Sequence, residues 1–299
     1  MTAKIMLLIA CMLGPAVAFA QAPNPVLANA SQVNDLEFPA KPSRLGFFTA
    51  PEMALYKPDG PGPFPAVVLH HQCGGLGQGN WQNVAILDWA KEAVRRGYVV
   101  LVIDSLSSRG GRPVCMGAQG GVTFPRGVRD AFQAAAHLHQ FEFVDKERIA
   151  LAGFSWGAMV AVFASRDTWA ARLSPGPRFA AAVAFYPSCT PVRPPSGNAY
   201  EVVSTDIDRP LLVLMGEKDV ETPPVECVPK LEAAKASAAP VEWHVYPDKT
   251  HCWDCRNLDG VSKVDIRGTH VVYHYDKNIT SDSGRRMFEF FDKAFAVRR

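Results

Sequence analysis

Three residues of this chain have the types and order that nucleophilic catalysis requires. Gly153-Phe154-Ser155-Trp156-Gly157 places a serine between two glycines, where an apolar run (149–152) gives way to small residues, Ala158-Met159-Val160-Ala161. A serine hydroxyl is a poor nucleophile in water. It needs a sharp turn that exposes it, a base beside it, and amide donors facing the charge that develops. The pattern G-x-S-x-G between a strand and a helix supplies the turn. Downstream, Leu211-Leu212-Val213-Leu214-Met215 runs into Gly216-Glu217-Lys218-Asp219. A further apolar stretch, 241–246, runs into Pro247-Asp248-Lys249-Thr250-His251. Serine, acid, histidine at three strand ends in that order is the chain order of this arrangement in α/β proteins. The expected roles are Ser155 as nucleophile, His251 as base and then acid, and Asp219 as the group that orients His251. Glu217 and Asp248 compete with Asp219 for the last role.

Such residues must be positioned by strands and helices, and the chain alternates them. Short apolar runs without polar alternation predict buried strands over 66–70, 98–103, 149–152, 180–185, 211–215 and 241–246, with one or two short strands within 47–56. Helices are predicted over 83–96, 127–140, 156–165 and 282–296. Strands that are apolar on both faces require helices on both faces, and parallel neighbours require crossover helices. The expectation is an α/β fold: one hydrolase-type domain over 43–299 with a mostly parallel central sheet. Residues 21–42 read as an irregular lead-in. The stretches 191–204 and 253–269 read as loop insertions.

Composition bounds the rest. With 48% hydrophobic and 20% charged residues the chain is globular in type. A net charge of +2 and the lack of any Lys/Arg run give no reason to expect a nucleic-acid partner. Residues 1–20 read as a signal peptide: Lys4, an apolar run over 5–13, and Ala18-Phe19-Ala20 before the cut. A rival reading makes Cys11 the lipidated residue of a lipoprotein. No later run is long enough to cross a membrane. The expected location is exported, periplasmic or secreted. Cleavage after Ala20 leaves Cys73, Cys115, Cys189, Cys227, Cys252 and Cys255, an even set for which disulfides are the default outside the cell. The expected pairs are Cys73–Cys115, which follow adjacent strands, Cys189–Cys227, which lie beyond later strand ends, and Cys252–Cys255. The last pair could also be redox-active.

At this point the chain resembles a known family. Leu69-His70-His71-Gln72-Cys73-Gly74-Gly75-Leu76, Val102-Ile103-Asp104-Ser105-Leu106-Ser107-Ser108-Arg109-Gly110, and the three segments above look like the dienelactone hydrolase family, over roughly 51–295. The resemblance implies a metal-free, cofactor-free enzyme acting on a small ester or lactone. It also exposes a departure. The best-known members use a cysteine nucleophile, with a glutamate in the first strand-end loop that helps hold it unactivated. Here Ser155 and Gln72 occupy those places, so a serine carboxylesterase is the expected activity. The backbone N–H groups of Trp156 and Cys73 are the expected oxyanion donors. Gln72 and Arg109 are candidate substrate contacts, Arg109 because substrates of the family carry a carboxylate that a guanidinium holds well. Two other readings stay open: a peptide or amide hydrolase with the same three residues, and an exported binding protein that has lost catalysis.

Overall fold

The computed structural model describes residues 34–78, 81–174, 176–195 and 197–297. The expected signal peptide, Cys11 and most of the lead-in lie outside the described residues.

Seven strands make the central sheet: β1 (Ala54–Tyr56), β2 (Phe64–His70), β3 (Val99–Ile103), β4 (Val144–Phe154), β5 (Ala181–Phe185), β6 (Leu211–Gly216) and β7 (Val241–Tyr246). Their order is β1-β3-β2-β4-β5-β6-β7. Only β1 runs antiparallel to its neighbour. Strands β3 and β5 are buried at every position. Apolar side chains on both faces leave such a strand stable only between two layers of helices.

The helices are α1 (Val84–Arg95), α2 (Phe124–Leu138), α3 (Trp156–Ala164), α4 (Asp167–Leu173), α5 (Val228–Ala236) and α6 (Lys277–Ala296). Helices α2 and α3 join the core of one sheet face, and α1 and α6 that of the other. Asn83 caps α1 by accepting from Ile86 N at 3.2 Å. Helix α2 begins three residues before the expected start, because Thr123 caps it and Pro125 sits in its first turn, where a missing N–H costs nothing. Helix α6 likewise begins at Lys277, capped by Asp276 through Asn278 N and Ile279 N. Its first turn, Lys277-Asn278-Ile279-Thr280, lacks the apolar spacing that marks the rest.

One loop region differs from expectation in kind. Within and just beyond the 253–269 insertion lies a small hairpin, β8 (Ser262–Val264) with β9 (His270–Val272). The described part of the lead-in, 34–42, has no regular element, yet it is strapped to α2. Asp35 pairs with Arg126 and Arg129, and Phe38 stacks on His137.

Parallel pairing brings the strand ends into line. His70 is opposite both Ile103 and Gly153, Phe154 is opposite Phe185, and Gly216 is opposite Tyr246. The loops that leave these residues therefore emerge side by side, at the edge where α/β sheets carry their sites.

Candidate active site

Ser155 sits at the turn between β4 and α3 with φ +52° and ψ −110°. A serine held at positive φ costs roughly 1–3 kcal/mol, which the surrounding fold must offset. The flanking glycines make the turn possible. A Cβ on Gly153 would lie 1.9 Å from Gly157 O, and one on Gly157 would lie 2.4 Å from His70 O. Neither position has room for a side chain.

The three residues converge. His251 Nε2 lies 3.0 Å from Ser155 Oγ, and His251 Nδ1 lies 2.7 Å from Asp219 Oδ2. Asp219 and His251 are buried, while Ser155 keeps some exposure. Glu217 and Asp248 are not in this arrangement. Glu217 accepts from Asp248 N, and the Asp248 carboxylate pairs with Lys218. Asp219 is fixed by its own turn, with Oδ1 accepting from Glu221 N at 3.0 Å and Thr222 N at 2.8 Å. Thr222 Oγ1 lies 2.7 Å from Asp219 Oδ2. Burial pushes the Asp219 pKa up, but the His251 charge and these hydrogen bonds outweigh it, so the pKa lies below the usual value. Burial alone would push His251 down. The Asp219 and Glu221 carboxylates outweigh it, and the net direction is up.

The loop after β2 packs against this centre. His71 Nε2 accepts from Ser105 N at 3.0 Å, which leaves the ring proton on Nδ1, 2.6 Å from Gln72 O. Its ring stacks on Trp156 at 5.9 Å. Trp156 is the first residue of α3, where backbone N–H groups have no partner within the helix. Cys73 Sγ is bonded to Cys115, and Cys73 O accepts from Val114 N at 2.9 Å. The bonded pairs Cys189–Cys227 and Cys252–Cys255 also lie beyond strand ends. The Cys73–Cys115 bond spans 42 residues. Replacing both cysteines with serine should lower stability by about 2–4 kcal/mol, read from urea unfolding. Free thiols at both positions in unreduced peptide maps would contradict the bond.

Two candidate substrate contacts are placed otherwise than expected. The Arg109 guanidinium is taken up by other groups of the protein. Its guanidinium makes two bonds to Asp130, at 2.6 and 2.9 Å, and others to Ser105 O and Asn34 O. Its side chain is only 4% exposed. A donor set this fully occupied has none left for a carboxylate ligand. Gln72 is bonded within the protein. Its amide nitrogen lies 3.3–3.4 Å from Tyr186 Oη and the sulfurs of Cys252 and Cys255, and its oxygen accepts from Asn83.

Several site residues were not picked out from the sequence. Tyr186 follows β5, with φ +46°. Its ring lies 4.5 Å from His251 and its hydroxyl donates to Asp254 Oδ1 at 2.8 Å. Asp254 is buried and also accepts from Trp89 Nε1 at 2.7 Å. Burial raises its pKa, and these two bonds only partly offset that. A signal for Tyr186 did exist, since it directly follows a buried strand in the region where the site loops gather. Asp254 and Glu221 gave none, because their partners are far away in the chain.

A seven-stranded, mostly parallel sheet between helices, with serine, acid and histidine at the ends of β4, β6 and β7, defines the α/β-hydrolase fold. The chain belongs to the dienelactone hydrolase family, whose model matches residues 52–295. It is 27% identical over 148 residues to a Salmonella typhimurium (strain LT2) protein named "Putative carboxymethylenebutenolidase". That match covers 49% of this chain and 47% of that protein, so the chain spans about half the length of this curated relative. Among solved structures, it resembles a "Putative Dienelactone Hydrolase" from Klebsiella pneumoniae, with TM-score 0.59 and 23% identity, covering 80% of this chain and 92% of that one. It also resembles esterase 2 of Thermogutta terrifontis, with TM-score 0.57 and 18% identity, covering 80% and 86%. At these identities the structural likeness concerns the fold.

Proposed function

We propose that this chain is a serine ester or lactone hydrolase that works through an acyl-enzyme on Ser155. The observation that carries the reading is the unbroken contact chain Ser155 Oγ, His251, Asp219. His251 takes the hydroxyl proton as Ser155 Oγ attacks the carbonyl carbon. The oxyanion faces the N–H groups of Trp156 and Cys73. Collapse expels the alkoxide, which takes the proton from His251 Nε2. Water then repeats the sequence, releasing the acid and restoring Ser155. Membership of the family supports an ester or lactone as substrate.

The reading extends to the whole chain. Residues 1–20 act as an export signal, residues 21–42 are a lead-in, and residues 43–299 form one domain. Three bonded cysteine pairs support an oxidising location. Among the described residues no helix is long and apolar enough to cross a membrane.

The test is a screen of nitrophenyl esters, lactones and matched amides, with phosphonate labelling of the protein. Esters or lactones should turn over, and Ser155 should carry the label. Because the base must be neutral, activity should fall as pH drops through the raised pKa of His251, and the acid limb of kcat/KM should lie above the ordinary imidazole value. Absence of label, or turnover of amides alone, would overturn the proposal.

A further inference from the structure

Glu221 holds a carboxylate beside the reacting atoms that the mechanism above leaves idle. It lies two residues beyond Asp219 on the same turn. Its Oε2 is 3.9 Å from His251 Nε2, the nitrogen that faces Ser155 Oγ. The imidazole thus has a carboxylate at each end, Asp219 on Nδ1 and Glu221 near Nε2. The second is held from two sides. Tyr273 donates to its Oε2 at 3.0 Å, and Lys263 Nζ bonds its Oε1 at 2.7 Å. Lys263 belongs to β8 and Tyr273 directly follows β9, so the β8–β9 hairpin carries both groups that hold this side chain. Burial works against the charge, but His251, Lys263 and Tyr273 outweigh it, and the Glu221 pKa lies below its usual value. The side chain keeps 15% of its surface exposed, whereas that of Asp219 keeps none.

The separation is informative. At 3.9 Å the carboxylate is too far for a direct hydrogen bond to Nε2. It is close enough for one small molecule to bond both at once, since a water at about 2.8 Å from each atom fits that spacing. Tyr273 takes one direction of approach to Oε2, and the oxygen retains capacity for another hydrogen.

We propose that Glu221 holds the hydrolytic water of the second half-reaction, accepting one of its hydrogens at Oε2 while His251 Nε2 accepts the other. The inference rests on the acyl-enzyme reading. The water oxygen forms a bond to the acyl carbon, and its proton passes to His251 Nε2. The second hydrogen stays on oxygen, bonded to Glu221. The bond from the acyl carbon to Ser155 Oγ then breaks, Oγ recovers the proton from His251, and the carboxylic acid leaves. Glu221 is unchanged throughout. Beyond the charge it lends the His251 imidazolium, which acts in both half-reactions, the first half-reaction gains little from it. The departing alkoxide brings no hydrogen of its own, so Glu221 has nothing to hold until the proton has already transferred. This asymmetry separates water-holding from a general effect on the imidazolium, which would assist both half-reactions.

The experiment is rapid-mixing kinetics with a nitrophenyl ester on the intact protein, wild type beside Glu221→Gln and Glu221→Asp. Glu221→Gln should release its first equivalent of nitrophenolate within about threefold of the wild-type rate, and its steady-state turnover should fall by about 10²-fold. The acyl-enzyme should then accumulate, visible as the added acyl mass on the protein. Glu221→Asp keeps the charge but withdraws it by one methylene, and should show the same split in smaller degree. Melting curves report whether each variant is folded. Equal losses in both half-reactions would overturn the proposal and assign Glu221 to His251 alone. So would a Glu221→Asp protein indistinguishable from wild type. If neither wild type nor variant forms an acyl-enzyme and Ser155→Ala still hydrolyses the ester, the acyl-enzyme reading itself falls.

Discussion

Ser155→Ala and His251→Ala should each lower kcat by about 10⁴- to 10⁶-fold, and the double variant should be little worse than either. The two act as one unit. A base with no hydroxyl to deprotonate contributes nothing, and neither does a hydroxyl with no base, so their losses do not add. Asp219→Asn should cost less than removing the nucleophile, though still on the order of 10⁴-fold. It removes the charge that favours the His251 imidazolium and presents an amide that can turn the ring to the wrong tautomer. Thr222 N and Glu221 N would still hold the turn in place. The loss should therefore appear in kcat rather than in stability. The measurement is steady-state hydrolysis of a nitrophenyl ester with unfolding curves recorded alongside. A Ser155→Ala protein with near-normal hydrolysis would remove the mechanism.

The largest effect on stability is expected at Asp130. It accepts from Arg109 and Arg126 together, and all three side chains are 0–4% exposed. Two guanidinium groups share this one buried carboxylate, and Arg126 reaches Asp35 and Gln133 besides. Asp130→Ala should cost about 3–5 kcal/mol, since it leaves the buried Arg109 guanidinium without its carboxylate and takes one of two from Arg126. Asp35→Ala is the control. That side chain is 51% exposed, and its loss should cost at most about 1 kcal/mol. Urea unfolding should show the Asp130→Ala midpoint shifted with an unchanged slope. A midpoint equal to that of Asp35→Ala would contradict this account. The same cluster bears on Arg109. With its guanidinium taken by Asp130, Ser105 O and Asn34 O, Arg109→Ala should weaken the fold. It should affect a carboxylate-bearing ester and its neutral analogue alike.

How much of this was legible in the chain differs from residue to residue. The buried strands were plain, because a strand covered on both faces must be apolar throughout. Ser155 was legible because its constraint is local: close approach of β4 to α3 demands glycine on either side. Asp219 and His251 followed from order along the chain, which the parallel sheet converts into neighbourhood. The starts of α2 and α6 were missed because Thr123 and Asp276 signal through caps rather than through apolar spacing.

The sequence by itself determined the fold class and the meeting of Ser155, Asp219 and His251, for one reason. Each is written in periodicity or in short-range spacing, and a parallel sheet maps those linear features onto adjacent strand ends. Only the tertiary structure decided where long, flexible polar side chains go. Arg109 stands in a strand-end loop, where a substrate contact would be looked for. Its reach of several ångströms lets it turn instead to Asp130, 21 residues away on α2. Glu221 became a neighbour of His251 because Lys263 and Tyr273, about 40 to 50 residues further on, hold it there. A charged side chain settles where its partners and its desolvation balance, and that balance is set by elements distant in the chain. Local spacing does not encode it.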